Sequence, residues 1–261
     1  MLKAFKYRIF PNEEQKAQLA KAFGCVRFVY NLGLETKMMA WTSAKKTYSC
    51  IDLANQMVEL KNAEAPWLRE CPSQALQFSL RNLDNAYTAF FNRGAGFPKF
   101  KNKHGKQSMQ FPQGVRLEEG FIFIPKLKLV AIDLHRPLGK GDIKTTTLSR
   151  TTTGKYFVSI LVDNHIETPT KKPINENTSI GLDFGVKHLV ITSDGKKFEN
   201  KEFFLTAMKE LEIAQRSLAR KQKGSNRRKK QKQIVALLHE KVRNQRQDYL
   251  HKISRELVDQ Y

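Results

Sequence analysis

The feature that most limits the fold is a change of texture at Arg93-Gly94-Ala95-Gly96-Phe97-Pro98. Before it, apolar residues recur at three- and four-residue spacing; after it, short β-type runs alternate with turns. A chain divided in this way is an α+β protein of several domains. Residues 2–10 alternate, with Lys3, Lys6 and Arg8 interrupting Leu2, Ala4, Tyr7 and Ile9, as a half-buried strand with a basic outer face would. Pro11-Asn12 stops that strand. Asn12 with Gln15 resembles a capping box and Gly24 is a natural stop, so the pattern predicts a helix over 13–23. Further helices fit 26–43, 51–62 and 73–92, the last with Leu76, Leu80, Leu83 and Tyr87 on one face.

After the break, strands are predicted over 120–124, 128–134, 141–148 and 155–163, with turns at Gly139-Lys140-Gly141 and Thr153-Gly154. Threonine runs at 145–147 and 151–153 suit the edges of a small barrel. The first strand is expected to join this barrel, with the helices inserted between. The polar stretch 164–178 contains Pro169 and Pro173 and reads as a linker. Strands then fit 179–183, 187–193 and 196–199, the last two joined by Asp194-Gly195. Two long helices follow. Phe204, Met208, Leu211 and Leu218 share a face in the first; Ile234, Leu238, Val242, Tyr249, Ile253 and Leu257 do so in the second.

Charge narrows the partner. Lys and Arg number 46 against 25 Asp and Glu, for a formal net charge of +21. Such an excess gathers polyanions, of which nucleic acid is the commonest, although ribosomal-type and membrane-surface proteins share the signature. Arg220, Lys221, Lys223, Arg227, Arg228, Lys229, Lys230 and Lys232 fall between the two long helices. They are expected to form a basic hairpin tip that contacts phosphate without reading sequence; the bland alternative is a solvated loop. The stretch Phe97–Lys106 interleaves Phe97 and Phe100 with Lys99, Lys101 and Lys103. Aromatics can stack on bases while lysines neutralise phosphates, and an anchored loop with its lysines in water fits equally well.

Cys25, Cys50 and Cys71 form no C-x-x-C pair, so no zinc is expected in this chain and the thiols are expected to stay reduced in a cytoplasm. No apolar run approaches membrane-spanning length and the opening residues have no signal-peptide core, so neither a membrane nor a small-molecule substrate is expected.

Gly181-Leu182-Asp183-Phe184-Gly185 reads as a strand end and a tight turn, with glycines that let a bulky ligand approach the backbone. Asp183 is the candidate catalytic, metal-binding carboxylate. Two-metal phosphodiester cleavage, with ions about 4 Å apart, requires several carboxylates, so Asp183 taken alone reads first as a turn cap in an ordinary α/β domain.

Taken together, the segments resemble the TnpB/OrfB family of transposon-encoded RNA-guided nucleases, which is related to type V CRISPR effectors. The resemblance runs in order through Lys3–Pro11, Gly24–Asn31, Trp67-Leu68, Ala75–Leu80, Gly96–Lys101, Gly181–Lys187 and Asn244–Lys252. It implies a wedge-like β-barrel from 1–10 and 95–165 and a helical, helix-turn-helix-like recognition insert over 11–94. A linker over 166–178 and a partial ribonuclease-H-like (RuvC) domain over 179–261 complete the implied order. The implied activity is magnesium-dependent, RNA-guided DNA cleavage in a prokaryotic, nucleoid-associated cytoplasmic setting, with guide RNA and target DNA as partners and Asp183 as one metal ligand. Tyr48 and Gln77 match positions that would read a short motif beside the target. Asn244, Arg246, Asp248, His251 and Lys252 match a signature expected to be structural or guide-facing. Family members carry further on a strand glutamate, paired C-x-x-C motifs and a final aspartate; here Glu240, Glu256 and Asp259 lie on predicted helices. The expectation is a truncated chain that binds nucleic acid and does not cut. The alternatives are a nuclease-dead, RNA-guided repressor or accessory factor, and a basic RNA-binding protein without guide logic.

Overall fold

The computed structural model describes residues 1–170, 173, 175, 176 and 179–261. The chain forms two compact units, Met1–Thr168 and Pro169–Tyr261. Part of the expected linker lies outside the described residues.

The first unit is organised by β1 (Leu2–Phe10), which buries Tyr7 and Ile9 and leaves Lys6 and Arg8 in solvent, as its alternation predicts. β1 pairs antiparallel with both β5 (Lys128–Asp133) and β7 (Tyr156–Asp163). The other strands are β2 (Gln107–Phe111), β3 (Arg116–Glu118), β4 (Phe121–Ile124) and β6 (Asp142–Arg150). The seven strands run in the order β2-β6-β7-β1-β5-β4-β3. The expected barrel is therefore a sheet in which β2 and β3 are terminal strands that do not pair with each other. Neither was among the predicted strands. β2 alternates, with Met109 and Phe111 buried, but it is short and follows a basic loop.

Three helices are inserted between β1 and β2: α1 (Glu13–Ala44), α2 (Cys50–Asn62) and α3 (Ser73–Arg93). The capping box at Asn12 and Gln15 is present, with hydrogen bonds of 2.8 and 3.0 Å. Gln15 also donates to the carbonyls of Leu127 and Leu129, tying the start of the helix to the sheet. The expected stop at Gly24 does not occur, and one helix spans both predicted segments. An interior glycine costs a helix about 1 kcal/mol relative to alanine; burial of Phe23, Cys25 and Val26 on either side outweighs that. Ser79 on α3 donates to the Val26 carbonyl at 2.8 Å, a buried polar link between two otherwise apolar faces.

The second unit contains a three-stranded antiparallel sheet in the order β10-β9-β8. β8 is only Leu182–Asp183, β9 is His188–Thr192 and β10 is Lys197–Glu199, each shorter than the sequence predicts. α4 (Phe203–Arg220) and α5 (Asn226–Gln260) follow. Val190, Phe198 and Ile253 form the buried cluster, with Leu189, Tyr249 and Leu257 packed against it. The Tyr249 hydroxyl donates to the Glu199 carbonyl at 2.7 Å, fixing α5 to β10. The buried face of α4 matches the expected one only at Leu211 and, half-buried, Leu218. Leu211 and Ala214 are buried, whereas Phe204 and Met208 are exposed. On α5 the expected face holds at Val242 and Ile253, but Ile234 is exposed.

Candidate nucleic-acid interface

In the first unit, the stretch after α3 is anchored to α1 at two places. Asn31 and Lys101 exchange two hydrogen bonds: Asn31 Nδ2 donates to the Lys101 carbonyl at 2.9 Å, and the Lys101 N–H donates to Asn31 Oδ1 at 2.8 Å. One turn earlier on α1, an Arg27 guanidinium nitrogen donates to Gln107 Oε1 at 3.3 Å. Gln107 Nε2 in turn donates to the carbonyls of Lys103 and Gly105. The loop is thus held in one shape by amide side chains. Of the three lysines the sequence singles out, Lys99 and Lys103 are exposed. Lys101, also exposed as a residue, sets its ammonium 3.7 Å from the centroid of the Tyr30 ring. Lost hydration there, and then the charge of Lys106, lower the Lys101 pKa from its ordinary value.

Phe97 joins Tyr87, Phe90 and Phe91 in a cluster of edge-to-face and stacked rings at the end of α3. Phe97 and Phe100 are both more than two-fifths exposed, at 44% and 53%, so each keeps a face available for stacking. On the sheet, Lys6 lies over the Phe157 ring at 4.6 Å and Arg8 over Phe10 at 4.9 Å. Tyr48 is half-buried against the core just before α2, and Gln77 is exposed on α3.

In the second unit, the basic run is not a single loop. Ser225 caps α5 by accepting from the Arg228 N–H, so Arg227, Arg228, Lys229, Lys230 and Lys232 are helical. Arg228 is committed to structure: its guanidinium donates to the carbonyls of Leu218 and Lys221 at 2.6 and 2.9 Å, closing the end of α4. Lys221 likewise donates to Ser217 Oγ at 2.7 Å. Arg220, Lys223, Arg227, Lys229, Lys230 and Lys232 are exposed. Arg227, Lys229 and Lys230 sit at a helix N-terminus, where cations oppose the macrodipole. α5 also carries the 244–252 signature. There Asp248 and Lys252 form an ion pair at 2.8 Å, and Arg246 lines a mainly apolar groove of about 320 Å³ with Val186, Leu189, Phe203 and Tyr249.

Asp183 occupies the exposed edge strand β8, opposite Ile191 on β9. Flanking bonds hold the strand: Ser193 N–H donates to the Gly181 carbonyl at 2.9 Å, and Asn200 Nδ2 donates to the Val186 carbonyl at 3.0 Å. Among the described residues, no group of three or more His, Cys, Asp or Glu side chains converges as a metal site. Other carboxylates of this unit are engaged elsewhere. Glu256 pairs with Lys196 at 2.6 Å, Asp259 with Arg255 at 2.6 Å, and Asp194 accepts from Thr192 and Tyr261. The residues present do not fit a two-ion centre.

Arg27 and Lys106 line the cavity beside this loop and are not among the candidate residues named from the sequence. Arg27 sits in an apolar helix pattern, and only the link to Gln107 marks it out.

Two family models match parts of the chain. Residues 1–46 match the helix-turn-helix domain of the OrfB_IS605 family, and residues 159–261 match the family profile described as "Probable transposase". The chain belongs to this TnpB/OrfB family. A relative from Escherichia coli (strain K12) is 37% identical over 97% of this chain, and one from Streptomyces pristinaespiralis is 36% identical over 98%. Both bear the name "Putative RNA-guided DNA endonuclease", the first as InsQ. The chain spans 62% and 64% of the lengths of these two relatives. A solved CRISPR-Cas12f ternary complex aligns with 94% of this chain and 60% of its own, at 11% identity and a TM-score of 0.39.

Proposed function

We propose that this chain is an RNA-guided DNA-binding polypeptide of the TnpB type, with guide RNA and target DNA as its partners. The observation that carries this reading is family similarity over nearly the whole chain, joined to a net charge of +21. The first unit would supply guide and target contacts through Lys99, Lys103 and the exposed rings of Phe97 and Phe100. Tyr48 and Gln77 would read the bases beside the target. In the second unit, Arg220, Lys223, Arg227, Lys229, Lys230 and Lys232 would follow phosphates without reading sequence. No helix of the described residues is long and apolar enough to cross a membrane.

The family activity would be magnesium-dependent DNA cleavage, to which Asp183 would contribute one ligand. A single exposed carboxylate cannot hold two ions of double charge. The 261-residue polypeptide is therefore expected to bind nucleic acid and leave DNA uncut. A nuclease-dead, RNA-guided binding role is the second reading, favoured by the same solitary position of Asp183.

The test is to express the chain together with its flanking DNA, purify it, and sequence the RNA that accompanies it. One discrete RNA encoded beside the gene is expected. A random sample of cellular RNA would overturn guided binding and leave only a basic RNA-binding protein.

A further inference from the structure

Between α1 and the 99–108 loop lies a cavity of about 330 Å³, lined by Phe23, Arg27, Phe100, Lys101, Lys106 and Ser108 among others. Three cationic residues line it. No ion pair between a carboxylate and Arg27, Lys101 or Lys106 occurs among the described residues. The neighbouring fixed partners are neutral: Gln107 for Arg27 and the Tyr30 ring for Lys101. Like charges gathered without a carboxylate repel one another; the Lys101 pKa is lowered first by lost hydration and then by the charge of Lys106. An anion entering the cavity would relieve the repulsion.

The cavity is also built rather than incidental. The Asn31–Lys101 bonds and the Arg27–Gln107 bond fix both ends of the loop, and Asn102 Oδ1 accepts from the His104 N–H at 2.9 Å to shape the turn between them. Preorganised donors lose little freedom on binding. The rim carries Phe100, half-exposed, beside the cationic lining. A phosphate flanked by a ring at stacking distance is the repeating unit of a single-stranded polynucleotide.

We propose that this cavity is a clamp for one backbone phosphate of single-stranded nucleic acid, held by Arg27, Lys101 and Lys106, with the adjoining base stacked on Phe100. The proposal rests on the nucleic-acid reading above and names the place where one strand is gripped.

The probe is a short fluorescent single-stranded RNA of mixed sequence, with binding to the full 261-residue chain followed by anisotropy across a salt series. Lys101→Met keeps the stem over Tyr30 and removes the charge; it is combined with Lys106→Gln. The control, Lys16→Gln with Lys21→Gln, removes equal charge from lysines already paired with Glu13 and Glu70 at 2.7 and 2.8 Å. Thermal melts establish that each variant folds. Losing one phosphate contact should weaken binding about tenfold. The slope of log K against log salt should flatten by about 0.7, while the control stays within about 0.2 of wild type. Phe100→Ala should weaken binding with the slope unchanged.

Wild-type binding with the same slope in the cavity variant and wild type would overturn the clamp and leave the broader reading standing. No binding by the wild type would overturn both. Displacement of the RNA by submillimolar inorganic phosphate, at ionic strength matched with chloride, would assign the cavity to a free anion and overturn the polynucleotide clamp.

Discussion

Asn31 and Lys101 hold each other by two hydrogen bonds of 2.9 and 2.8 Å, in the manner of a strand pair made from one side chain and one backbone. The two residues are 70 positions apart, so this pair fixes where the lysine-rich loop lies on α1. Asn31→Ala removes both bonds and leaves the Lys101 peptide to water. The expected loss is about 1–2 kcal/mol of stability, with faster amide hydrogen exchange across 99–107 and little change in α3. Unchanged exchange at Lys101 would show that the loop is held by other contacts.

Gly24 and Gly141 make opposite predictions. An added Cβ at Gly24 meets only the Arg27 guanidinium, at 4.0 Å, within a continuous helix. Gly24→Ala should therefore stabilise the protein by up to about 1 kcal/mol. A destabilised Gly24→Ala protein would restore the helix stop that the sequence suggested. At Gly141, φ is +143°, and a Cβ would overlap the Asp163 carbonyl and lie 2.8 Å from Asn164 Cα. Gly141→Ala should cost about 2–4 kcal/mol, read as a lower midpoint in urea.

Thr146 is 1% exposed, and its hydroxyl has no hydrogen-bond partner among the described residues. Burying an unpaired hydroxyl costs about 1–3 kcal/mol. Thr146→Val should raise the denaturation midpoint with an unchanged m-value. A lower midpoint would show that the hydroxyl is satisfied in solution.

The basic run separates into two kinds of side chain. Arg228→Ala should destabilise the second unit by about 1–3 kcal/mol, because it uncaps α4. Lys229→Glu with Lys230→Glu should instead steady the start of α5, since acids suit a helix N-terminus, while weakening nucleic-acid binding. Melting curves and filter binding distinguish these. Equal effects of both changes on stability would contradict the division.

Asp194 accepts hydrogen bonds from Thr192 and Tyr261, and these lower its pKa from the ordinary carboxylate value. The folded state thus favours the ionised form. This stabilisation is present above the unfolded pKa, about 3.9, and disappears as pH falls through the lower folded value. The stability of wild type should fall over that range, and Asp194→Asn should show a flatter dependence. Identical acid profiles would rule out this contribution.

The sequence revealed most where a pattern is local. The alternation of 2–10 placed Tyr7 and Ile9 inside, Asn12 with Gln15 marked a true cap, and Asp194-Gly195 marked a true hairpin. It failed where a distant partner decides. Gly24 does not end its helix because buried neighbours on both sides carry the helix through. The expected apolar face of α4 holds at Leu211, but Ala214 is buried with it while Phe204 and Met208 stay exposed. Of the candidate site, the basic segments were legible as charge. The division between Arg228, bound to α4 carbonyls, and its exposed neighbours was not. Nor was the meeting of Arg27 with the 99–108 loop, since no periodicity records which helix a loop will cross.

We propose that this polypeptide grips nucleic acid while Asp183, with no cluster of three ligating side chains among the described residues, leaves DNA intact. Incubating the purified 261-residue chain and its accompanying RNA with matched supercoiled DNA and magnesium tests it directly. The account predicts a bound complex and no nicked product, for wild type and Asp183→Asn alike. Nicking by wild type that vanishes in Asp183→Asn would contradict it.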